Sequence, residues 1–354
     1  MIPEETGSHC SRILAVSILL HSVVLASSGS SNQKVPIDAI GSAANLVIVP
    51  TVVRSSSNET VKNLHASDFQ LTDNGVVEKV YVDEVQGQGI AIVVLMQTGA
   101  AAPQQFKNFR TVTNILSAML GTTSKRVALL TFDSQPEQIW NFPSMVDRMQ
   151  GALQDPNAGD NGAAIMDALY RGMDLLNEQP VSLRRVILLI SKPKDSGSKS
   201  TPAEVVRRLG ESNTTVYSVT FPPDKTLITL EHSEANFSDE VRQVSQDQAR
   251  LSGKSNPNSL LPDDVAKEIR DRTAEEVAKL SGGEQIRLKD KEDLKSKLSV
   301  LATAFANSYM LSFRPTSRTP GFHTIDVRLK AKNAHFSLTT RTSYWKRDAR
   351  PPER

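Results

Sequence analysis

Four short apolar runs recur through the middle of the chain. They are IAIVVLM at 90–96, RVALLTF at 126–132, RVILLIS at 185–191 and TVYSVTF at 215–221. Each run is apolar at successive positions rather than at alternate ones, which is typical of central strands covered on both faces. The pattern therefore predicts buried strands.

Amphipathic segments accompany these runs and predict helices at 103–120, 162–179 and 202–212. The first and last begin at a proline, which is favoured in the first turn of a helix. Two more helices around a short strand are predicted within 274–309. This alternation predicts an α/β fold with a doubly wound, mostly parallel sheet.

Strand-like patterns also occupy both ends of the chain. NLVIVPTVVRS begins at Asn45, and DFQLTDNGVVEKVYVDEV predicts a hairpin around an Asp-Asn-Gly turn. Further strands are predicted at 309–315, 322–331 and 335–345. Because neither set can bury its apolar face alone, we expect N- and C-terminal strands to form one small β module that flanks the α/β unit.

These patterns divide the chain into consecutive segments. We predict a signal peptide and linker at 1–32, N-terminal β strands at 33–87, an α/β domain at 88–307 with a polar insertion at 222–272, C-terminal β strands at 308–346 and a tail at 347–354.

The N-terminal segment has the build of a secretory signal. Arg12 precedes about 14 mostly apolar residues, and small residues follow them. A membrane-spanning helix needs about 20 apolar residues, so we expect cleavage after Ala26 or Ser28 and no span in the mature chain. The protein is then exported to the periplasm or exterior. A retained anchor, or a true start codon further downstream, is the alternative because Glu4 and Glu5 are atypical of such signals.

Composition excludes several classes of function. The 41 basic and 39 acidic side chains nearly balance, so the chain has no strong net charge that would attract nucleic acid. The only cysteine, Cys10, lies within the predicted signal. No histidines are paired at helical spacing, SGKS at 252–255 lacks the leading glycine of a phosphate loop, and KDSGS at 194–198 lacks that of a nucleophile elbow. We therefore expect a non-catalytic protein without a cofactor.

Five stretches, in their order, carry a family resemblance: DFQLTDNGVVEKV, IAIVVLMQTGAAA, AAIMDALYRGMDLL, RVILLIS and the closing pattern from KLSGGEQIRL to RTSYW. Over roughly residues 45–345 the chain resembles secreted bacterial proteins with a von Willebrand factor type A related domain. The resemblance implies a divalent cation at the carboxyl edge of the sheet. In such domains the cation is bound by an Asp-x-Ser-x-Ser loop, a threonine before the middle helix and an aspartate after the fourth strand. These residues supply the hard oxygen ligands that Mg²⁺ prefers.

This sequence departs from that ligand set at every matching position. Gln97, Gly99 and Ala101 replace the first loop's ligands, Ala163 and Ala164 stand where the threonine is expected, and Lys192 replaces the last aspartate. A unit charge about 4 Å from a divalent ion contributes roughly 8 kcal/mol at an effective dielectric of about 20. With a lysine that contribution is repulsive, so we predict a degenerate site that holds no metal.

Nearby carboxylates offer an alternative, because Asp133, Asp160 and Asp195 also follow strands or precede the middle helix. We favour structural roles: Asp160 as a helix cap, Asp133 in a turn and Asp195 in an ion pair with Lys192 or Lys194. A metal site rebuilt from the three aspartates remains the alternative.

The sequence thus predicts a metal-independent protein-binding or scaffold protein of the bacterial cell envelope or exterior. Its partner is expected to be another protein, bound at the carboxyl edge of the sheet. The expected binding residues are Gln97, Thr98, Gly99, Ala101, Ala163, Ser191, Lys192 and Lys194. The rival hypothesis is a structural or assembly role through the β module or the insertion, with this edge idle. Oligomeric state stays open.

Overall fold

A computed structural model describes residues 46–84, 88–107, 125–142, 151–153, 155–221, 261–288, 308–330 and 335–347. The predicted signal segment and tail lie outside the described residues. So do most of the predicted helix at 103–120, most of the insertion at 222–272 and the last predicted helix before residue 309.

The central sheet has six strands, whose bounds are β5 (Ile90–Gln97), β6 (Lys125–Phe132), β7 (Pro136–Trp140), β8 (Arg184–Ser191), β9 (Thr214–Thr220) and β10 (Gln285–Arg287). Their order is β10-β9-β8-β5-β6-β7. All neighbours are parallel except β6 and β7, which pair antiparallel. The predicted mostly parallel α/β sheet is confirmed.

Four α-helices belong to the described part of this unit: α1 (Ile165–Asn177), α2 (Pro202–Ser212), α3 (Asp263–Asp271) and α4 (Thr273–Ser281). The first two confirm the predicted helices at 162–179 and 202–212. Thr201 caps α2, since its hydroxyl accepts a hydrogen bond from the Glu204 backbone N–H. Within the described residues no helix is long and apolar enough to cross a membrane.

Both faces of the central sheet are covered. Val93 and Leu95 pack on the side of α1 and α2, whereas Val94 and Met96 belong to a second apolar cluster on the opposite face. Successive residues of a strand point to opposite faces, so a strand buried on both sides is apolar throughout. This explains the continuous apolar runs in the sequence.

Helix α3 lies at the end of the segment predicted to be a polar insertion. Its Ile269 has no exposed surface and belongs to the core on the α1 side of the sheet. The end of that segment is therefore part of the packed fold. Its nine residues, DDVAKEIRD, hold too few apolar positions to reveal a helical period in the sequence.

The remaining strands form two antiparallel four-stranded sheets. Their bounds are β1 (Val47–Arg54), β2 (Phe69–Asp73), β3 (Val76–Glu78), β4 (Val80–Glu84), β11 (Tyr309–Phe313), β12 (Gly321–Leu329), β13 (Ser337–Thr340) and β14 (Ser343–Lys346). The orders are β13-β1-β11-β4 and β14-β12-β2-β3. Each sheet combines strands from both ends of the chain, which confirms the predicted composite β module.

The two sheets share one apolar core, which includes Val49 and Leu311 of one sheet and Leu71 and Val327 of the other. The predicted hairpin is also present, because β2 and β3 pair across a turn in which Asn74 and Gly75 have φ of 47° and 85°. Positive φ at both positions is what a two-residue hairpin turn requires.

Arg341 joins the β module to the α/β unit. Its guanidinium is buried and donates hydrogen bonds to the Ile48 carbonyl (3.1 Å), the Asn213 side-chain oxygen (3.0 Å) and the Leu209 carbonyl (3.4 Å). The last two acceptors lie at the carboxyl end of α2, where a cation is favoured by the helix dipole. Burial lowers the pKa of Arg341 to about 10.

We predict that Arg341→Met lowers the free energy of unfolding by about 3 kcal/mol, because several buried carbonyls lose their donor. Arg328→Met is the matched control, since Arg328 is exposed and its one ion pair among the described residues is with Asp326; we expect it to change stability by less than about 0.5 kcal/mol. Urea unfolding measures both. If both variants lower the free energy of unfolding by the same small amount, Arg341 does not stabilise the connection between the β module and the α/β unit.

Candidate functional site

The carboxyl ends of β5, β6 and β8 meet the start of α1 at one edge of the central sheet, as parallel topology requires. The Lys192 backbone N–H after β8 donates to the side-chain oxygen of Gln97 at the end of β5 (2.9 Å). Ala163, just before α1, forms a β-bridge with Ser196. The structure therefore brings the predicted loops together.

Gln97 is the central side chain of this edge and has no exposed surface. Its amide oxygen accepts from Lys192, and its amide nitrogen donates to the Gly99 carbonyl (3.0 Å). A neutral amide thus satisfies a donor and an acceptor at once. It occupies the position that the family resemblance assigns to an aspartate.

Gly99 lies against the backbone of the loop that precedes α1. A Cβ at this position would lie 2.5 Å from the carbonyl oxygens of Asp160 and Gly162. Two backbone hydrogen bonds hold this approach, from Ala100 N–H to the Asp160 carbonyl (2.7 Å) and from Gly159 N–H to the Thr98 carbonyl (3.1 Å). The space that a serine ligand needs is filled by main chain.

Most of the eight predicted binding residues lie below the surface. Seven of them are buried, and Lys194 is exposed. The Thr98 hydroxyl donates to the Phe132 carbonyl (3.1 Å), and the Ser191 hydroxyl donates to the Lys192 carbonyl (2.8 Å). Burial therefore gives the set a supporting role, and direct contact with a partner needs Lys194 or other exposed groups.

Asp133 and Asp160 hold backbone turns at this edge. The two carboxylate oxygens of Asp133 accept from the N–H groups of Gln135 (3.2 Å) and Asp160 (3.0 Å). Asp160 accepts from the N–H groups of Ser134 (3.0 Å) and Gly162 (2.7 Å). Hydrogen bonds from Ser134, and then from the Gly162 backbone, lower the pKa of Asp160.

The helix cap belongs to Asp195, which corrects the role expected for Asp160. An Asp195 carboxylate oxygen accepts from the Met166 backbone N–H in the first turn of α1 (3.0 Å) and from the Ser198 hydroxyl. The structure thus gives Asp195 a capping role in the first turn of α1. Burial raises the pKa of this carboxyl.

A divalent cation does not fit these residues. The matching positions supply an amide, a glycine, alanines and a lysine, and the carboxylates of Asp133 and Asp160 already accept backbone N–H groups. In the described ranges, no three carboxylate or histidine side chains come together as a metal-ligand set. The donor chemistry that Mg²⁺ or Ca²⁺ requires is absent from the matched positions.

Glu137 on β7 is a residue of this edge that the sequence did not single out. Its carboxylate accepts from the Thr98 hydroxyl (3.3 Å). Partial burial raises the pKa of Glu137, and the hydrogen bond and repulsion from Asp133 raise it further. The segment PEQIW lacks the apolar signal of a central strand, so the position of Glu137 beside Asp133 could not be predicted from the sequence.

The model of the von Willebrand factor type A domain family matches residues 92–262. Among curated proteins, none matches the sequence.

Several solved structures are similar at low identity. Proximal thread matrix protein 1 from the mussel byssus is 11% identical, with 66% of this chain and 50% of that chain covered and a TM-score of 0.39; the chain thus spans half of that protein's length. An aerotolerance-related membrane protein from Bacteroides fragilis is 14% identical, with 60% and 97% covered and a TM-score of 0.37. The PilB minor pilin from Streptococcus sanguinis is 11% identical, with 63% of each chain covered and a TM-score of 0.39.

We predict that Gly99→Ser, which restores a hydroxyl of the metal loop, lowers the free energy of unfolding by about 1–3 kcal/mol because the backbone must shift. Gly151→Ser is the matched control, since a Cβ there meets no atom within 4 Å. Urea unfolding with and without millimolar Mg²⁺ measures both variants. A stable Gly99→Ser variant that gains stability from Mg²⁺ would contradict this description of the edge.

Proposed function

We propose, because residues 92–262 match the model of the von Willebrand factor type A domain family, that this protein is a non-catalytic binding or scaffold protein that acts without a metal. Its partner is another protein, bound at the carboxyl edge of the central sheet. We place it in the bacterial cell envelope or exterior, and that location rests on the signal segment predicted from the sequence.

One observation carries the metal-independent part of the proposal. Hydrogen bonds cross-link the loops of the edge, through the Gln97 amide between Gly99 and Lys192 and through the Asp133 carboxylate between Gln135 and Asp160. A loop edge that is held by its own hydrogen bonds needs no cation to keep its shape. This supports a preformed surface, which lowers the cost of ordering when a partner binds.

The exposed groups of the edge supply the contact surface. Four residues of the edge are exposed next to the buried binding residues: Ser134, Gln135, Asn161 and Lys194. Polar rims of this kind carry the hydrogen bonds and charge complementarity of protein interfaces. We assign the partner contact to these groups and the support of the loops to the buried ones.

The proposal predicts that immobilised protein captures the same partner from envelope extract in EDTA and in millimolar Mg²⁺. Lys194→Glu should weaken that capture, since reversal of an interface charge costs affinity. Lys62→Glu is the matched control, because Lys62 is an exposed lysine of the β module. Lys192 is unsuitable for this test because its side chain is buried.

Two results would contradict the proposal. Loss of capture in EDTA would show that a metal is required. Capture that survives Lys194→Glu but is lost in Lys62→Glu would favour the rival function, a structural role through the β module with the edge idle.

A further inference from the structure

An open cavity of about 460 Å³ adjoins the carboxyl edge of the sheet, between β7 and the segment 151–158. Thr98, Glu137, Trp140 and Asp155 are among its lining residues, with Ala152 and Pro156 between the polar groups. The volume lies within the range of about 300–1,000 Å³ that is usual for small-ligand sites. It therefore has room for a long side chain.

Two features of the lining favour a cation. The carboxylates of Glu137 and Asp155 are exposed at the cavity, and an indole ring is the aromatic group that attracts cations most strongly. Among the described residues, no ion pair involves Glu137, Asp155 or the neighbouring Asp133. The described part of the chain therefore supplies no ion-pair partner for these carboxylates.

The contact between Glu137 and Asp133 points the same way. The carboxyls of Asp133 and Asp160 both disfavour ionisation of Glu137, whereas the hydrogen bond from the Thr98 hydroxyl favours it. Partial burial together with these carboxylates raises the pKa of Glu137. A cation in the cavity would relieve this repulsion, because opposite charge favours the ionised carboxylate.

We propose that this cavity binds the cationic side chain of a lysine or arginine presented by a partner protein. The ammonium or guanidinium lies between the carboxylates of Glu137 and Asp155, and the aliphatic stem packs against Trp140 and Ala152. This inference rests on the proposed protein-binding function and names the chemistry of its partner. A metal ion is a poor occupant, because the described residues hold no three-ligand cluster there.

The test uses the two tryptophans as internal probes. Trp140 lines the cavity, whereas Trp345 lies on β14 in the β module. Their indole N–H signals are followed by ¹H–¹⁵N NMR while N-acetyl-lysine amide or N-acetyl-arginine amide is added to the full chain. We expect a saturable shift of the Trp140 signal and none of the Trp345 signal. N-acetyl-glutamine amide, which is neutral, should shift neither.

Two variants test the carboxylates. Glu137→Gln and Asp155→Asn should each weaken binding of the cationic amide about fivefold, the factor that corresponds to about 1 kcal/mol. Glu59→Gln removes an exposed carboxylate of the β module and should have no effect.

The proposal is overturned if neither cationic amide shifts Trp140, if the neutral amide shifts it equally, or if both variants bind unchanged. Its failure is distinguishable from failure of the proposed function. Partner capture that persists when no cationic amide binds refutes only the cation cavity, whereas cation binding without any captured protein refutes the protein-binding function.

Discussion

The buried amide of Gln97 is the cross-link on which the candidate edge depends. A carboxylate at this position has only acceptor oxygens, so it cannot donate to the Gly99 carbonyl. The amide donates to Gly99 and accepts from Lys192, which joins the ends of β5 and β8 without any added charge. The close approach of Gly99 to the loop before α1 then removes the space for a hydroxyl ligand. This combination of an amide and a close-packed glycine supports the proposal that the edge acts without a metal.

Polar contacts at the amino ends of β9 and β10 join the β module to the α/β unit. Arg341 caps the carboxyl end of α2 from outside that unit, and Arg54 on β1 pairs with Glu284 just before β10. Thr339 on β13 donates to the same glutamate (2.8 Å). Because strands from both ends of the chain build each β sheet, these contacts tie the first and last described strands to the central sheet. The β module is therefore fixed to the amino edge of the central sheet, opposite the loops of the candidate site.

The main elements were predictable because their signals are local. Strands buried on both faces are continuously apolar, and helices buried on one face are amphipathic. The Asp-Asn-Gly turn in turn predicts the hairpin. Helix α3 and strand β7 were missed because short polar segments such as DDVAKEIRD and PEQIW carry no clear period. At the edge, the loops that meet could be predicted from the sequence. The burial of the binding residues, the capping role of Asp195 and the proximity of Asp133 to Glu137 could not, because they depend on three-dimensional packing. The predicted domain boundaries and binding residues stay predictions.

The most direct measurement of the central claim is thermal unfolding of the purified chain in EDTA and in millimolar Mg²⁺ or Ca²⁺. A ligand that binds only the folded state raises stability by about 2.7 kcal/mol at 100 times its dissociation constant, which corresponds to a shift of about 5–10 °C in a unit of this size. The account predicts that the melting curves coincide. A metal-dependent rise that is abolished by Asp133→Asn or Asp160→Asn, but kept in Gln97→Ala after correction for its own loss of stability, would contradict it and reveal a rebuilt site.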